Sequence, residues 1–292
     1  MSESKSGRDS SAVTGQGGSL PGWAQIDIDD IDVREKIGGG GIGVIHLGYY
    51  KNKNVAIKTL FNPRVTEDVK KEYMDELLVM SKVNHSNIVT FLGASMTAPN
   101  YCFVMELCDK SVFEILHVNK EYMNEHEAIR CVTDVGYAME YLHSLKPVVI
   151  HRDLKSHNIL RDFNGVYKVC DFGLVMVKNT AAGTPAYMPP ELLLNKPFNK
   201  SVDVYAFGVF MNECLSGEIP YAQLDINEVR RRIIGNEKPP LPSSGGRLSR
   251  SSQLTTKCWH QQPECRPSFA AIVDELIAIG DEMPNQQATS VS

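Results

Sequence analysis

His151-Arg-Asp-Leu-Lys-Ser-His-Asn158, followed 13 residues after Asn158 by Asp171-Phe-Gly173, is the stretch on which the reading of this chain turns. It gathers two aspartates, an asparagine and a lysine, which are oxygens suited to a divalent cation and a cation suited to an anion. Upstream, Ile37-Gly-Gly-Gly-Gly-Ile-Gly-Val-Ile45 carries a G-x-G-x-x-G pattern at Gly38, Gly40 and Gly43, with Gly39, Gly41 and Ile42 between them. Alone the pattern is weak, and a flexible hairpin turn accounts for it equally well. A dinucleotide-binding turn would open a helix at its third glycine. Here Val44-Ile45-His46-Leu47 continues as a strand, so the loop reads as a hairpin lid over phosphates. Val55-Ala56-Ile57-Lys58 puts a lysine on the next strand, and Glu76 follows 18 residues later on a helix. Taken singly these are a surface lysine and a solvated glutamate; their spacing after the glycine loop favours an ion pair.

The rest of the composition sets bounds. With 292 residues, 42% hydrophobic and 22% charged, the chain can bury a sizeable core, which excludes collagen, disorder throughout and a small disulfide scaffold. Lys plus Arg number 30 against 35 Asp plus Glu, so no broad basic surface for nucleic acid is expected. The longest clear apolar run, Val204 to Met211, is far short of the roughly 20 residues of a membrane span. The first residues lack a signal-peptide pattern, position 2 is Ser2 rather than glycine, and no prenylation cysteine ends the chain; a cytoplasmic location is the expectation. The seven cysteines are scattered without CxxC pairs and read as reduced thiols.

Residues 1–28 and 283–292 read as disordered tails, too poor in aliphatic residues to offset the entropy of ordering. Between them the pattern changes once. Ile31 to Ile37, Val44 to Tyr50, Asn54 to Leu60, Val89 to Ser95 and Tyr101 to Leu107 alternate like strands, interrupted by one helix that Thr66 can cap. From about Ser111 the chain becomes mostly helical. Asn124 with Glu127 predicts a capped start, and Val204 to Met211, apolar on every side, predicts a buried helix. An α+β fold follows, with a strand-rich small lobe before a larger helical one and a ligand cleft between them.

Taken in order, the glycine loop, Val-Ala-Ile-Lys58, His-Arg-Asp-Leu-Lys-x-x-Asn158 and Asp-Phe-Gly173 resemble the eukaryotic protein kinases over about 31–282. The resemblance implies a bilobal fold: a small antiparallel β lobe with one helix at about 29–105, a hinge at 106–109 and a mainly helical lobe at about 110–282. It implies ATP and Mg2+ as cofactors. Asp153 would accept or orient the proton of the substrate hydroxyl and Lys155 would reach the transferred phosphate. Lys58, paired with Glu76, would hold the other phosphates, and Asn158 and Asp171 would hold the metal. The nucleotide would be enclosed by Ile37, Gly38, Gly39, Gly40, Gly41, Ile42, Gly43, Val44, Ile45, Ala56, Met105 and Leu160, with the backbone of Glu106, Leu107 and Cys108 on adenine. Asp203 would bond the backbone of the 151–158 loop, and Glu191 would pair with a buried Arg266.

Lys155 and Gly183-Thr-Pro185 resemble serine/threonine kinases, and His85-Ser-Asn-Ile-Val89 and Asp203-Val-Tyr-Ala-Phe-Gly208 the tyrosine-kinase-like group, similar to Raf and mixed-lineage kinases. Protein substrates with Ser or Thr acceptors are implied, and Thr180 and Thr184 are the candidate sites for an upstream kinase or autophosphorylation. Ile42 replaces the usual aromatic at the loop tip, the segment from Asp171 to Glu191 is short at 21 residues, and Asn84 stands where Raf relatives carry arginine, so a Raf-like dimer is not expected. A nucleotide-binding pseudokinase scaffold is the alternative, as is a dual-specificity kinase; the former predicts loss of Lys58, Asp153 or Asp171, none of which is lost. Cys108 in the hinge and Cys170 before Asp171 stand where electrophiles in the cleft would reach them, with a buried, inert thiol favoured for Cys170.

Overall fold

The computed structural model describes residues 24–40, 43–60, 77–97, 100–171, 185–244 and 247–283. Five antiparallel strands open the chain: β1 (Asp32–Gly40), β2 (Gly43–Tyr50), β3 (Lys53–Leu60), β4 (Phe91–Thr97) and β5 (Asn100–Glu106), arranged in the order β1-β2-β3-β5-β4. Each matches a segment of alternating sequence to within a few residues. The pleat decides which side chains face which way. Val55, Ile57, Cys102 and Val104 pack with Ile26, Ile31 and Tyr50 in a small core on one face. Their neighbours Phe103 and Met105 belong instead to the large core shared with the helical lobe. Ala56 pairs with Met105 and Lys58 with Phe103, so Lys58 is turned toward the interlobe side by strand periodicity alone.

The expected disordered tail to residue 28 is too long. Ile26 is 2% exposed, its N–H donates to Ala94 O at 2.9 Å, and Ala94 N donates to Ala24 O at 3.1 Å. Ile26 and Ile28 supply the aliphatic surface that the Ser- and Gly-rich residues before them lack, and this offsets the ordering of a few backbone residues. The rest of both expected tails, residues 1–23 and 284–292, lies outside the described residues, as do Gly41, Ile42, the start of the predicted 66–80 helix with Glu76, and Phe172, Thr180 and Thr184. Residues 77–80 are helical, with Leu77 and Met80 buried in the large core.

The second lobe begins with the short β6 (Lys110–Ser111) and a π-helical turn, Glu114–Val118. Helix α1 (Glu125–Ser144) then starts where the sequence places its cap: Asn124 Oδ1 accepts from Glu127 N at 2.9 Å. The reciprocal half of the capping box is not made, because the Glu127 carboxylate accepts instead from Tyr167 OH at 2.9 Å. β7 (Ile159–Arg161) and β8 (Tyr167–Val169) complete a small sheet, β6-β7-β8. Helix α2 (Ser201–Ser216) is buried from Val202 to Cys214, as its all-round apolar stretch predicts. Gly208 allows this depth: a Cβ there would stand 2.9 Å from Cys258 Cβ and from Trp259 N. α3 (Ile226–Ile234), α4 (Arg250–Cys258) and α5 (Phe269–Glu282) close the lobe.

The lobes are joined behind the cleft by more than the hinge. Val89 N donates to Val169 O at 2.9 Å and Val169 N to Asn87 O at 2.8 Å. Asn84 N donates to Tyr141 OH at 3.2 Å while His85 stacks on the Tyr141 ring at 5.1 Å. These contacts hold the end of the 77–80 helix against α1 and β8.

Candidate active site

The 151–158 loop is held from beneath by one buried carboxylate. Asp203, fully buried at the start of α2, accepts from His151 N at 2.9 Å, Arg152 N at 2.8 Å and His143 Nε2 at 2.8 Å. A buried aspartate without such donors would be costly, and three donors supply the compensation. Backbone strain accompanies these bonds at Arg152, and recurs at Asp171. Arg152 has φ 64° and Asp171 φ 58°, a left-handed conformation that costs a non-glycine residue about 1–3 kcal/mol. His151 is buried and neutral: burial lowers its pKa, Asp153 N donates to its Nδ1 at 3.2 Å, and its Nε2 donates to Cys170 O at 3.0 Å. One imidazole thereby ties the loop to the strand that delivers Asp171.

Above this support the polar side chains converge. Lys58 Nζ lies 2.7 Å from Asp171 Oδ1, with only 8% of the lysine side chain exposed. Lys155 Nζ lies 3.0 Å from Asp153 Oδ2 and 3.2 Å from Oδ1. Asn158 Nδ2 donates to Asp153 O at 2.8 Å and to Oδ2 at 3.2 Å. Those donations fix the amide so that its oxygen is left for another partner. No group of three or more His, Cys, Asp or Glu able to hold a metal ion occurs among the described residues. Asn158 and Asp171 offer one amide and one carboxylate oxygen, a donor set that fits Mg2+, which takes one or two protein ligands and fills its shell from phosphate and water.

The opposite wall comes from β5, β7 and the glycine hairpin. β1 runs through Gly38, Gly39 and Gly40 and β2 starts at Gly43, with Gly39 opposite Val44 and Gly38 opposite Ile45, so the glycine cluster is a strand-loop-strand hairpin. Met105 is 7% exposed; Ile45, Ala56 and Leu160 are half-buried, and Ile37 is exposed at the rim. Val44 is buried on β2. Glu106 departs from a purely backbone role. Its carboxylate accepts from Thr90 N at 2.6 Å, Thr90 Oγ1 at 2.9 Å and Lys168 Nζ at 2.9 Å, which pins the hinge to β8 and to the residue just before β4. Cys108 beside it is pushed up to about 12 by burial and then by the Glu106 carboxylate. Burial also raises the Cys170 thiol well above its usual value, with Asp171 adding to the shift. Both thiols therefore stay protonated near neutrality.

Below the site, Arg266 forms a two-pronged pair with Glu191, Nη1 to Oε1 at 2.5 Å and Nη2 to Oε2 at 3.0 Å. Arg266 also donates to the carbonyls of Ser201, His260 and Gln261. Sequence reading missed a second buried carboxylate, Glu213, which gathers His117, Ser156 and Tyr187. It also missed the Lys168–Glu106–Thr90 link. Partners 16 to 96 residues apart leave no local pattern to read.

This geometry can be set beside known proteins. The serine/threonine-protein kinase STY17 of Arabidopsis thaliana is 33% identical over 86% of this chain and 45% of its own length. The serine/threonine-protein kinase CTR1 of the same plant is 35% identical over 85% of this chain and 31% of its own. The dual specificity protein kinase shkC of Dictyostelium discoideum is 35% identical over 90% and 55%. The chain thus spans between about a third and about half of the length of these curated relatives. No helix among the described residues is long and apolar enough to cross a membrane. With the profile of the family described as protein tyrosine and serine/threonine kinase matching residues 31–276, and with the cleft just described inside that span, this chain belongs to that family.

Proposed function

We propose that this chain is a Mg-ATP-dependent protein kinase of the tyrosine-kinase-like group that phosphorylates Ser and Thr hydroxyls of protein substrates. The observation that carries the reading is the convergence of Lys58, Asp153, Lys155, Asn158 and Asp171 in one cleft, within contact chains of 2.7 to 3.2 Å. Mg-ATP, when bound, supplies the phosphoryl group and the cation that neutralises its charge. The chain's own residues supply the positioning. Asp153, held by Asn158 and Lys155, orients the acceptor hydroxyl and takes its proton. Lys155 places a positive charge beside the point of transfer. Lys58 and Asp171, brought together by β3 and the end of β8, hold the phosphates and their metal, and Glu76 is assigned as the partner of Lys58. The glycine hairpin covers the phosphates, and the backbone at Glu106 and Cys108 takes the adenine edge. Phosphoryl transfer depends mainly on such placement and charge neutralisation, and these are the groups it needs.

Thr180 and Thr184 are proposed as regulatory phosphorylation sites. A reducing, cytosolic setting is proposed because all seven cysteines are free. The likeness to shkC favours one second reading, dual specificity. The test is transfer of radiolabelled γ-phosphate with Mg-ATP to the chain itself and to a generic protein, comparing wild type with Asp153→Asn and analysing phosphoamino acids. Phosphoserine or phosphothreonine that is lost in the variant supports the proposal. Added phosphotyrosine moves the reading to dual specificity, and ATP binding without transfer moves it to a scaffold.

A further inference from the structure

Glu213, near the end of α2, is a carboxylate with no exposed surface, and three other elements meet on it. Ser156 Oγ, inside the His151–Asn158 loop, donates to Oε1 at 2.7 Å. Tyr187 OH, in the 3-10 turn Pro185–Tyr187, donates to Oε2 at 2.6 Å. His117 Nε2, on the π-helical turn Glu114–Val118, lies 2.9 Å from Oε1. The Ser156 and Tyr187 oxygens are themselves 3.2 Å apart. His117 brings a ring nitrogen to this set beside two hydroxyls, and hydrogen bonds to a buried charge are stronger than those between neutral groups.

Two further observations separate His117 from ordinary core filling. His117 also lines a cavity of about 830 Å³, together with Leu116, Met123, Leu215 and Ser251. Phe113, on the same segment, lies 5.0 Å from the His117 ring and stacks at 3.7 Å on His157, the residue next to Ser156. The 113–117 segment therefore touches the 151–158 loop twice, once by stacking and once through the shared carboxylate. π-Helical turns of this kind commonly mark functional positions.

We propose that His117 is a positioning residue that, through the Glu213 carboxylate, holds the loop carrying Asp153 and Asn158 in register with the segment ending at Tyr187. The proposal rests on the phosphotransferase reading above and adds a residue to it. Removing the imidazole donor leaves a buried carboxylate short of a partner; Ser156 and Tyr187 then follow the carboxylate, and the loop loses its register. Nothing in this set touches the Lys58 side of the cleft.

The experiment compares His117→Phe and His117→Gln with wild type in the full chain, with dephosphorylated casein as acceptor. It measures kcat, KM for casein, KM for ATP and hydrogen exchange of the 151–158 amides. His117→Phe is expected to lower kcat about tenfold and raise KM for casein, with KM for ATP within about twofold of wild type and faster exchange in the loop. His117→Gln, which restores an N–H donor, is expected to recover most of the loss. A lower melting temperature with wild-type kcat per folded molecule and unchanged exchange overturns the proposal. Should His117→Phe not fold, Ser156→Ala carries the test: it cuts the loop from Glu213, the same kinetic signature is expected, and wild-type kcat overturns the proposal. Absence of transfer by wild type itself would sink the phosphotransferase reading alone, since the exchange measurement still reports whether His117 holds the loop.

Discussion

Lys58 and Asp171, 113 residues apart in sequence, form a 2.7 Å ion pair between the strand lobe and the end of β8. The pair is asymmetric in its surroundings: the lysine side chain is 8% exposed and the aspartate 28%. Water thus reaches the carboxylate but hardly the ammonium. A cleft arranged this way keeps the cation dry, where its field is strongest, and leaves the anion approachable by a metal ion.

Lys58→Met is accordingly expected to fold, because the Asp171 carboxylate it abandons can be solvated. Phosphate transfer should fall by about 10²-fold or more, since a positioned charge at the reacting phosphates is removed. Circular dichroism and a steady-state assay on the same preparation check this, and normal transfer would refute the role assigned to Lys58. For Asp171→Asn the expected change is different: calorimetric ATP binding should lose its dependence on added Mg2+.

Glu191→Gln or Arg266→Met removes one side of a two-pronged pair in which the arginine side chain has no exposed surface. Either variant is expected to cost about 3–5 kcal/mol of stability, because the partner charge stays buried and unpaired. Equilibrium urea unfolding reads this directly. A loss below about 1 kcal/mol would mean that the three carbonyls around Arg266 hold it without Glu191.

Lys238 donates to Tyr205 OH at 3.0 Å and to Gln261 Oε1 at 3.2 Å, and burial, followed by the neighbouring Arg266, pulls its pKa down to about 8 from 10.5. Below pH 8 the lysine is charged in both folded and unfolded chains, and the folded chain carries the full cost. Between about 8 and 10.5 the unfolded chain binds more protons, so this group makes stability rise with pH. The gain is about 1 kcal/mol once screening by the water that reaches the side chain is allowed for. Unfolding followed from pH 7.5 to 10 should show this slope in wild type and not in Lys238→Met.

Alkylation by iodoacetamide at pH 7.5 should modify the exposed Cys265 first. Cys108, pushed up to about 12, and Cys170, raised well above the usual thiol value by burial, should react slower by well over tenfold, their rates climbing only as pH approaches the raised values. Mass spectrometry of time points gives the order. Early labelling of Cys108 would mean that its thiol is deprotonated far more readily than its surroundings imply.

Much of this architecture was legible because it is periodic or punctuated. The alternation in β2, β3 and β5 gives both strands and facing, which is how Ala56 and Lys58 come to share a side with Met105 and Phe103. Asn124 was readable as a cap because capping is local, satisfied within three residues. The boundary at residue 28 was misjudged for a related reason: Ile26 and Ile28 are too few to register in a window dominated by Ser and Gly, yet one buried isoleucine paired with Ala94 suffices to order them.

By itself, the sequence determined the two-lobed plan, the glycine hairpin, the order of the acidic, basic and amide groups and the family to which they belong, because each is encoded in spacing along the chain. Tertiary structure alone decided how those groups are held. Asp203 beneath His151 and Arg152, Glu106 against Thr90 and Lys168, and Glu213 among His117, Ser156 and Tyr187 are pairings across 16 to 96 residues. Burying a carboxylate demands donors but does not say from which segment they come, and only the packed core selects them.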